Sequence, residues 1–137
     1  MPKKPKTIVL DSWAIIAYLE DEATAEKVAN IIADAHEQEI PLLMSVVNAG
    51  EVWYIVARQS SAADADASIK LLRDLGIELV GVDWNLAHSA GYFKSSNNMS
   101  FADAFAAALA RDRKANLVTG DPEFQQIERE VAILWLI

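Results

Sequence analysis

The chain contains no cysteine, which excludes disulfides, thiolate metal centres, redox relays and a cysteine nucleophile. Histidine is almost as scarce. His36 and His88 are too few for a histidine-rich zinc site, and both read as ordinary surface or packing residues. Proline and glycine are sparse, at 4 and 5 residues, and form no linker tract. No apolar run is long enough to span a membrane. The opening residues, Met1 to Lys6, are basic but lack the apolar centre of a secretory signal. These absences lead to the expectation of a soluble, cytoplasmic protein with no membrane partner. Positive charge is also in deficit. Lys and Arg number 12 against 20 Asp and Glu, a net charge of −8, which argues against a broad electrostatic grip on nucleic acid.

What is present is a core. With 53% hydrophobic residues in 137, the chain fits one domain, residues 1–137, of which 1–6 form a basic tail. The many acids allow two readings: a solvated surface that keeps an alanine-rich protein in solution, or a subset that converges on a cation site.

Hydrophobic periodicity alternates strand and helix. Thr7 to Leu10 is a β-branched apolar run, as expected of a buried strand. Helices are predicted over 12–20 and 24–38, the second amphipathic through Ala25, Val28, Ile31, Ile32 and Ala35. A strand at 41–44 leads to Ser45, placed as the N-cap of a helix reaching Arg58. A helix over 62–75 ends at Gly76, a C-cap signal, before a strand at 77–82. A helix over 84–93, a loop at 97–99 and a helix from Ser100 to about Lys114 follow. A strand at 116–119, a short helix opened by Pro122 and a terminal strand at 131–137 complete the pattern. Such alternation predicts an α/β fold, a parallel sheet covered by helices on both faces. In open sheets of this kind ligands bind beyond the carboxyl ends of the strands.

Acids stand at those ends. Asp11 follows the first strand and Asp121 the fourth; Asp103 lies in the first turn of the helix that feeds the fourth strand. Glu51 lies in the helix after the second strand. Each has a plain structural explanation. Asp11 caps a helix, Ser100-x-x-Asp103 resembles a capping box, and Asp121 before Pro122 is a good N-cap. Glu51 interrupts the nearly apolar stretch Val46–Val56, where a carboxylate loses hydration unless something binds it; the alternative is a narrow polar face shared with Asn48 and Arg58. Taken together, four carboxylates in one cleft would repel and partly protonate unless a cation neutralised them. Oxygen-only ligands select Mg²⁺ or Mn²⁺ over zinc, and such an ion can activate water against a phosphodiester without a nucleophilic side chain.

Four segments carry a resemblance: the strand ending in Asp11-Ser12; Ser45-Val-Val-Asn-Ala-Gly-Glu51-Val; Ser100-Phe-Ala-Asp103-Ala104; and Thr119-Gly-Asp121-Pro-Glu-Phe124. In this order and spacing the chain resembles the PIN-domain nucleases, and among them the VapC-type toxins of toxin–antitoxin pairs. The resemblance implies a three-layer α/β/α sandwich with a central, mostly parallel sheet, and a Mg²⁺- or Mn²⁺-dependent endoribonuclease. It also implies a homodimer held inactive by a small antitoxin. Asp11, Glu51, Asp103 and Asp121 match the family's acidic quartet, which implies Asp11 and Asp103 as the most direct metal ligands and Glu51 and Asp121 as supporting ligands, partly through water, or orienters of the attacking water. Ser12, Asn48 and Thr119 fall where small polar residues support such a site. Trp13 is bulkier than the small residue expected after Asp11-Ser12. It can line the cleft, stack on a base or pack in the core, and its helical spacing, like that of Tyr18, Trp53 and Tyr54, favours core.

For RNA contact on so acidic a chain the candidates are Lys3, Lys4, Lys6, Arg111, Arg113 and Lys114. The alternatives are a basic tail and complementation of a helix C-terminus. Two other functions compete with this reading. A PIN-like module that binds RNA or a partner without cutting would have no need of the quartet. A response-regulator-type phospho-acceptor would need paired acids after the first strand, an Asp after the third and a Lys after the fifth. Here Asp11 stands alone, Asp83 follows the third strand, and no Lys follows Val131.

Overall fold

Short apolar strands separated by amphipathic segments can bury both their faces only under two layers of helices, and the chain folds in that way. The computed structural model describes residues 7–20 and 22–137. Lys3, Lys4 and Lys6 therefore lie outside the described residues. Strand β1 (Ile8–Leu10) leads to helices α1 (Ser12–Leu19) and α2 (Ala25–Glu37). Strand β2 (Leu42–Ser45) leads to α3 (Val46–Gln59) and α4 (Ala62–Asp74). Strand β3 (Ile77–Val80) leads to α5 (Trp84–Ser96) and α6 (Phe101–Asp112). Strand β4 (Asn116–Thr119), a 3₁₀ helix (Pro122–Ile127) and β5 (Ile133–Trp135) complete it. The helix at 84 runs three residues past its predicted end. The last strand is confined to the middle of 131–137.

The five strands pair in the order β3-β2-β1-β4-β5, all parallel. The period-2 alternation sorts side chains between two cores. Val9, Leu43 and Leu117 face α5 and α6, whereas Ile8, Leu10, Leu42, Met44 and Val118 face α1 to α4. The fold is thus an α/β/α sandwich. In α6, residues Ala104 to Ala110 are buried without a break, because small side chains let this helix approach both the sheet and its neighbour α5. Gly76 closes α4 with φ +83°, a conformation that L side chains resist. A Cβ there would also sit 2.6 Å from His36 Cε1, so His36 is a packing residue against that turn.

Candidate metal centre

Strand order reverses between β1 and β4: β2 and β3 lie to one side of β1, while β4 and β5 lie to the other. That reversal is the position where parallel α/β sheets open a crevice at their carboxyl ends. Leu10 pairs with Val118, so the next residues, Asp11 and Thr119, leave the sheet side by side. The Thr119 hydroxyl donates to Asp11 Oδ2 at 2.5 Å, and the Ala14 amide donates to Asp11 Oδ1 at 2.8 Å. Asp11 is accordingly the N-cap of α1 and is 1% exposed. The capping explanation and the site explanation turn out to describe one arrangement.

The same holds for the other two acids at helix starts. Ser100 Oγ accepts from the Asp103 amide and caps α6, which sets Asp103 in the first turn. Asp121 Oδ1 accepts from the Glu123 amide and caps the 3₁₀ helix, while the Asp121 amide donates to Thr119 Oγ1. Helix N-termini gathered at one rim carry their capping carboxylates with them. Asp103, Asp121 and Glu51 line one cleft of about 310 Å³, together with Ser12, Trp13 and Ile16 of α1, Ile55 of α3, Ser100 and Glu22. Asp11 lies behind this wall rather than on it, close enough for Asp103 and Asp121 to raise its pKa.

Carboxylate oxygens of Asp103, Asp121 and Glu123 lie within 4.8 Å of one another. Glu123 escaped the sequence reading. It stands one residue past Pro122 in the first turn of a short helix, where an acid is ordinary. Its spacing two residues after Asp121 was the signal available.

Charge crowding shows in the protonation of two groups. Burial pushes the Asp11 carboxyl from 3.8 up to about 7, against the lowering effect of its bonds from Thr119 and Ala14; Asp103 and Asp121 add to the rise. Asp103 is also pushed up to about 7, first by desolvation, then by Asp121 and Glu51, while Ser100 pulls it back. This donor set fits a hard divalent cation. It is all oxygen, it is over-supplied with negative charge, and a cation there would cancel the repulsion among the carboxylates and oppose the effect of their burial.

Supporting polar residues connect the walls. Ser12 Oγ donates to the Asn48 carbonyl, and Asn48 Nδ2 donates to Ser12 Oγ at 3.3 Å and to the Ala102 carbonyl at 3.0 Å. Asn48 thereby ties α1, α3 and the start of α6 together. Its Oδ1 is buried with no partner among the described residues.

Three expectations need correction. Trp13 packs against the α1–α4 core but also forms part of the cleft wall, so it is not a core residue alone. Trp53 and Tyr54 are 37% and 43% exposed on α3, Trp53 donating to Asp66 and Tyr54 lying beneath Arg58. Tyr18 is the exception: it packs against the same core as expected. Arg111, Arg113 and Lys114 sit at the C-terminal end of α6, about 15 Å along the helix from Asp103, so they do not rim the acid cleft. Arg111 instead stacks on Tyr92 and Phe93. The phospho-acceptor alternative also loses its geometry. It requires the third strand beside the first; here β3 is an edge strand beyond β2, and Asp83 is the N-cap of α5.

A parallel α/β/α sandwich with carboxylates gathered at its switch point defines a recognisable class. The PIN domain family profile matches residues 8–130, and the chain belongs to that family. Among solved structures, VapBC2 from Rickettsia felis, bound to a DNA fragment from its promoter, superposes with a TM-score of 0.75. It shares 13% identity, over 93% of this chain and 97% of that one. VapC20 from Mycobacterium tuberculosis, described as a sarcin–ricin-loop-cleaving toxin, gives 0.69 at 18% identity, over 88% and 94%. A toxin–antitoxin complex from Klebsiella pneumoniae gives 0.69 at 14%, over 96% and 98%. At these identities the likeness is one of fold. No curated protein matches the chain in sequence. Among the described residues, no helix is long and apolar enough to cross a membrane.

Proposed function

We propose that this chain is a Mg²⁺- or Mn²⁺-dependent endoribonuclease, the toxin of a toxin–antitoxin pair, acting in the cytoplasm as a single PIN-like domain over residues 1–137. The observation that carries the reading is the meeting of Glu51, Asp103 and Asp121 in one cleft over buried Asp11, with Asp11 and Asp103 raised to about 7. Carboxylates that are desolvated first by burial and then crowded by one another have no use in a scaffold and suit a site built for a cation. The structural relatives described as a sarcin–ricin-loop-cleaving toxin and as a toxin–antitoxin complex support the choice of RNA as substrate and of a small antitoxin as partner. The homodimer rests on the family resemblance.

In this reading Asp103 and Asp121 hold the ion in place of the expected Asp11–Asp103 pair, because both Asp11 oxygens already accept hydrogen bonds behind the cleft wall, with Glu51 and Asp11 as the remaining members of the quartet. A bound divalent cation supplies an acidified water and a counter-charge for the leaving oxygen of the phosphodiester. Glu51, facing the cleft from α3, orients the attacking water. Thr119 fixes the Asp11 carboxylate by its hydroxyl, and the Ser12–Asn48 pair fixes the distance between α1 and α3.

The test is cleavage of several structured RNAs by the purified protein. Cleavage should require Mg²⁺ or Mn²⁺ and stop with EDTA. It should fall by at least two orders of magnitude in Asp11→Asn and Asp103→Ala, with circular dichroism unchanged. RNA left intact by the wild type at every metal tried, or cut equally well in EDTA, contradicts the proposal. A protein that binds Mn²⁺ and RNA without cutting would be a non-catalytic PIN module instead.

A further inference from the structure

The cleft has two chemically distinct walls. One is acidic, formed by Glu51, Asp103 and Asp121; the other is apolar, formed by Trp13 and Ile16 on one face of α1 and by Ile55 one turn beyond Glu51 on α3. The indole of Trp13 is held in place by the backbone that presents Asp121. A Cβ on Gly120 would lie 2.3 Å from Trp13 Cη2, 2.4 Å from Cζ3 and 2.7 Å from Cζ2, so the ring occupies the space a side chain would take. Trp13 is half-buried, with its inner side packed on the α1–α4 core. A large aromatic left partly open beside a carboxylate cluster is poor economy for a core and a good platform for a flat apolar ligand.

We propose that Trp13, seated on Gly120, is the nucleobase-stacking residue of this cleft, and that it positions an unstacked nucleotide next to the phosphate presented to the acids. A nucleotide is the ligand class whose two parts match the two walls: a flat base for the apolar side, and a phosphate bridged through a cation for the acidic side. The role rests on the nuclease reading above and adds to it a preference for single-stranded or looped RNA, since a base inside a duplex has no free face. Because every base has such a face, the contact selects for strand state more than for sequence.

The test uses the full chain with short single-stranded RNA whose cleaved linkage has been mapped. Binding is read by fluorescence anisotropy with Ca²⁺ in place of Mg²⁺ to hold off turnover, and cleavage is read separately by single-turnover kinetics with Mn²⁺. Removal of one base beside the cleaved linkage, leaving an abasic sugar, should weaken wild-type binding by about tenfold. Trp13→Leu, which keeps an apolar side chain but removes the ring face, should weaken binding of intact RNA by a similar factor and bind intact and abasic RNA alike. Trp13→Phe should retain most of the discrimination. Equal binding of intact and abasic RNA by the wild type overturns the proposal, whether or not the Leu variant folds. So does undiminished binding by a folded Trp13→Leu protein, the result expected if a polypeptide segment covers this wall instead. Failure of the nuclease reading looks different: no linkage is cut and none can be mapped, while a scan of single abasic positions along the same RNA still finds one that weakens wild-type binding.

Discussion

Asp11 shows how a helix-capping residue comes to lie beside the candidate site. It caps α1, accepts from Thr119 and sits 1% exposed, with burial as the main reason its carboxyl rises to about 7. In the unfolded chain the same group titrates near 3.8. The folded protein therefore binds more protons than the unfolded chain between about pH 4 and 7. The metal-free protein should lose stability as pH rises through that window, and the loss is complete above it. Asp103 acts in the same direction. Thermal melts without metal should give a higher Tm at pH 5 than at pH 8. Mn²⁺ should restore the difference at pH 8 and add little at pH 5. Asp11→Asn should raise the metal-free Tm at pH 8, and a lowered Tm in that variant would show that the buried charge is not a burden. Gly120 makes a second prediction at this scale. A methyl group there meets the Trp13 ring, so Gly120→Ala should destabilise by ~1–3 kcal/mol in urea unfolding, and the effect should largely vanish in a Trp13→Ala background. Neither the clash nor Glu123's place near Asp103 was readable from the sequence. Helical periodicity marks Trp13 as apolar-facing without distinguishing a core from a cleft, and an acid at a helix start is explained by capping alone.

Helix α6 carries the site from one end and the packing along its length. Ser100 and Asp103 open it at the strand carboxyl ends, and Ala104–Ala110 then pass between the sheet and α5. The alanines are small because the layers are close. Ala107→Leu should therefore cost about 1–3 kcal/mol through overpacking, with m unchanged. A neutral result would mean that α6 has room the packing does not show. The cations at the other end of α6 illustrate a limit of sequence reading. Arg111, Arg113 and Lys114 are close to Asp103 along the chain, but a straight helix of this length separates them from it. Strand and helix positions, by contrast, were largely legible. Alternating Ile8, Val9, Leu10 and the stop at Gly76 depend on local geometry that neighbours reinforce. The 3₁₀ form after Pro122 and the short β5 depend on tertiary contacts, which no local pattern encodes.

At the level of the whole molecule, the strand order β3-β2-β1-β4-β5 explains why acids far apart in the chain share one cleft. The reversal beside β1 sets Asp11 next to Thr119, and the caps of α6 and the 3₁₀ helix add Asp103 and Asp121. The positions of Asp11, Asp103 and Asp121 at helix starts were legible in the sequence because capping rules place them there. The depth of Asp11 behind the wall was not, since burial depends on how α1 meets the sheet. The central claim is that these oxygens share a cation. Anomalous diffraction from crystals grown with Mn²⁺ tests it most directly. The account predicts a peak in the cleft about 2.1 Å from carboxylate oxygens of Asp103 and Asp121. Strong density for all the acids with no anomalous peak among them at saturating Mn²⁺ would contradict it.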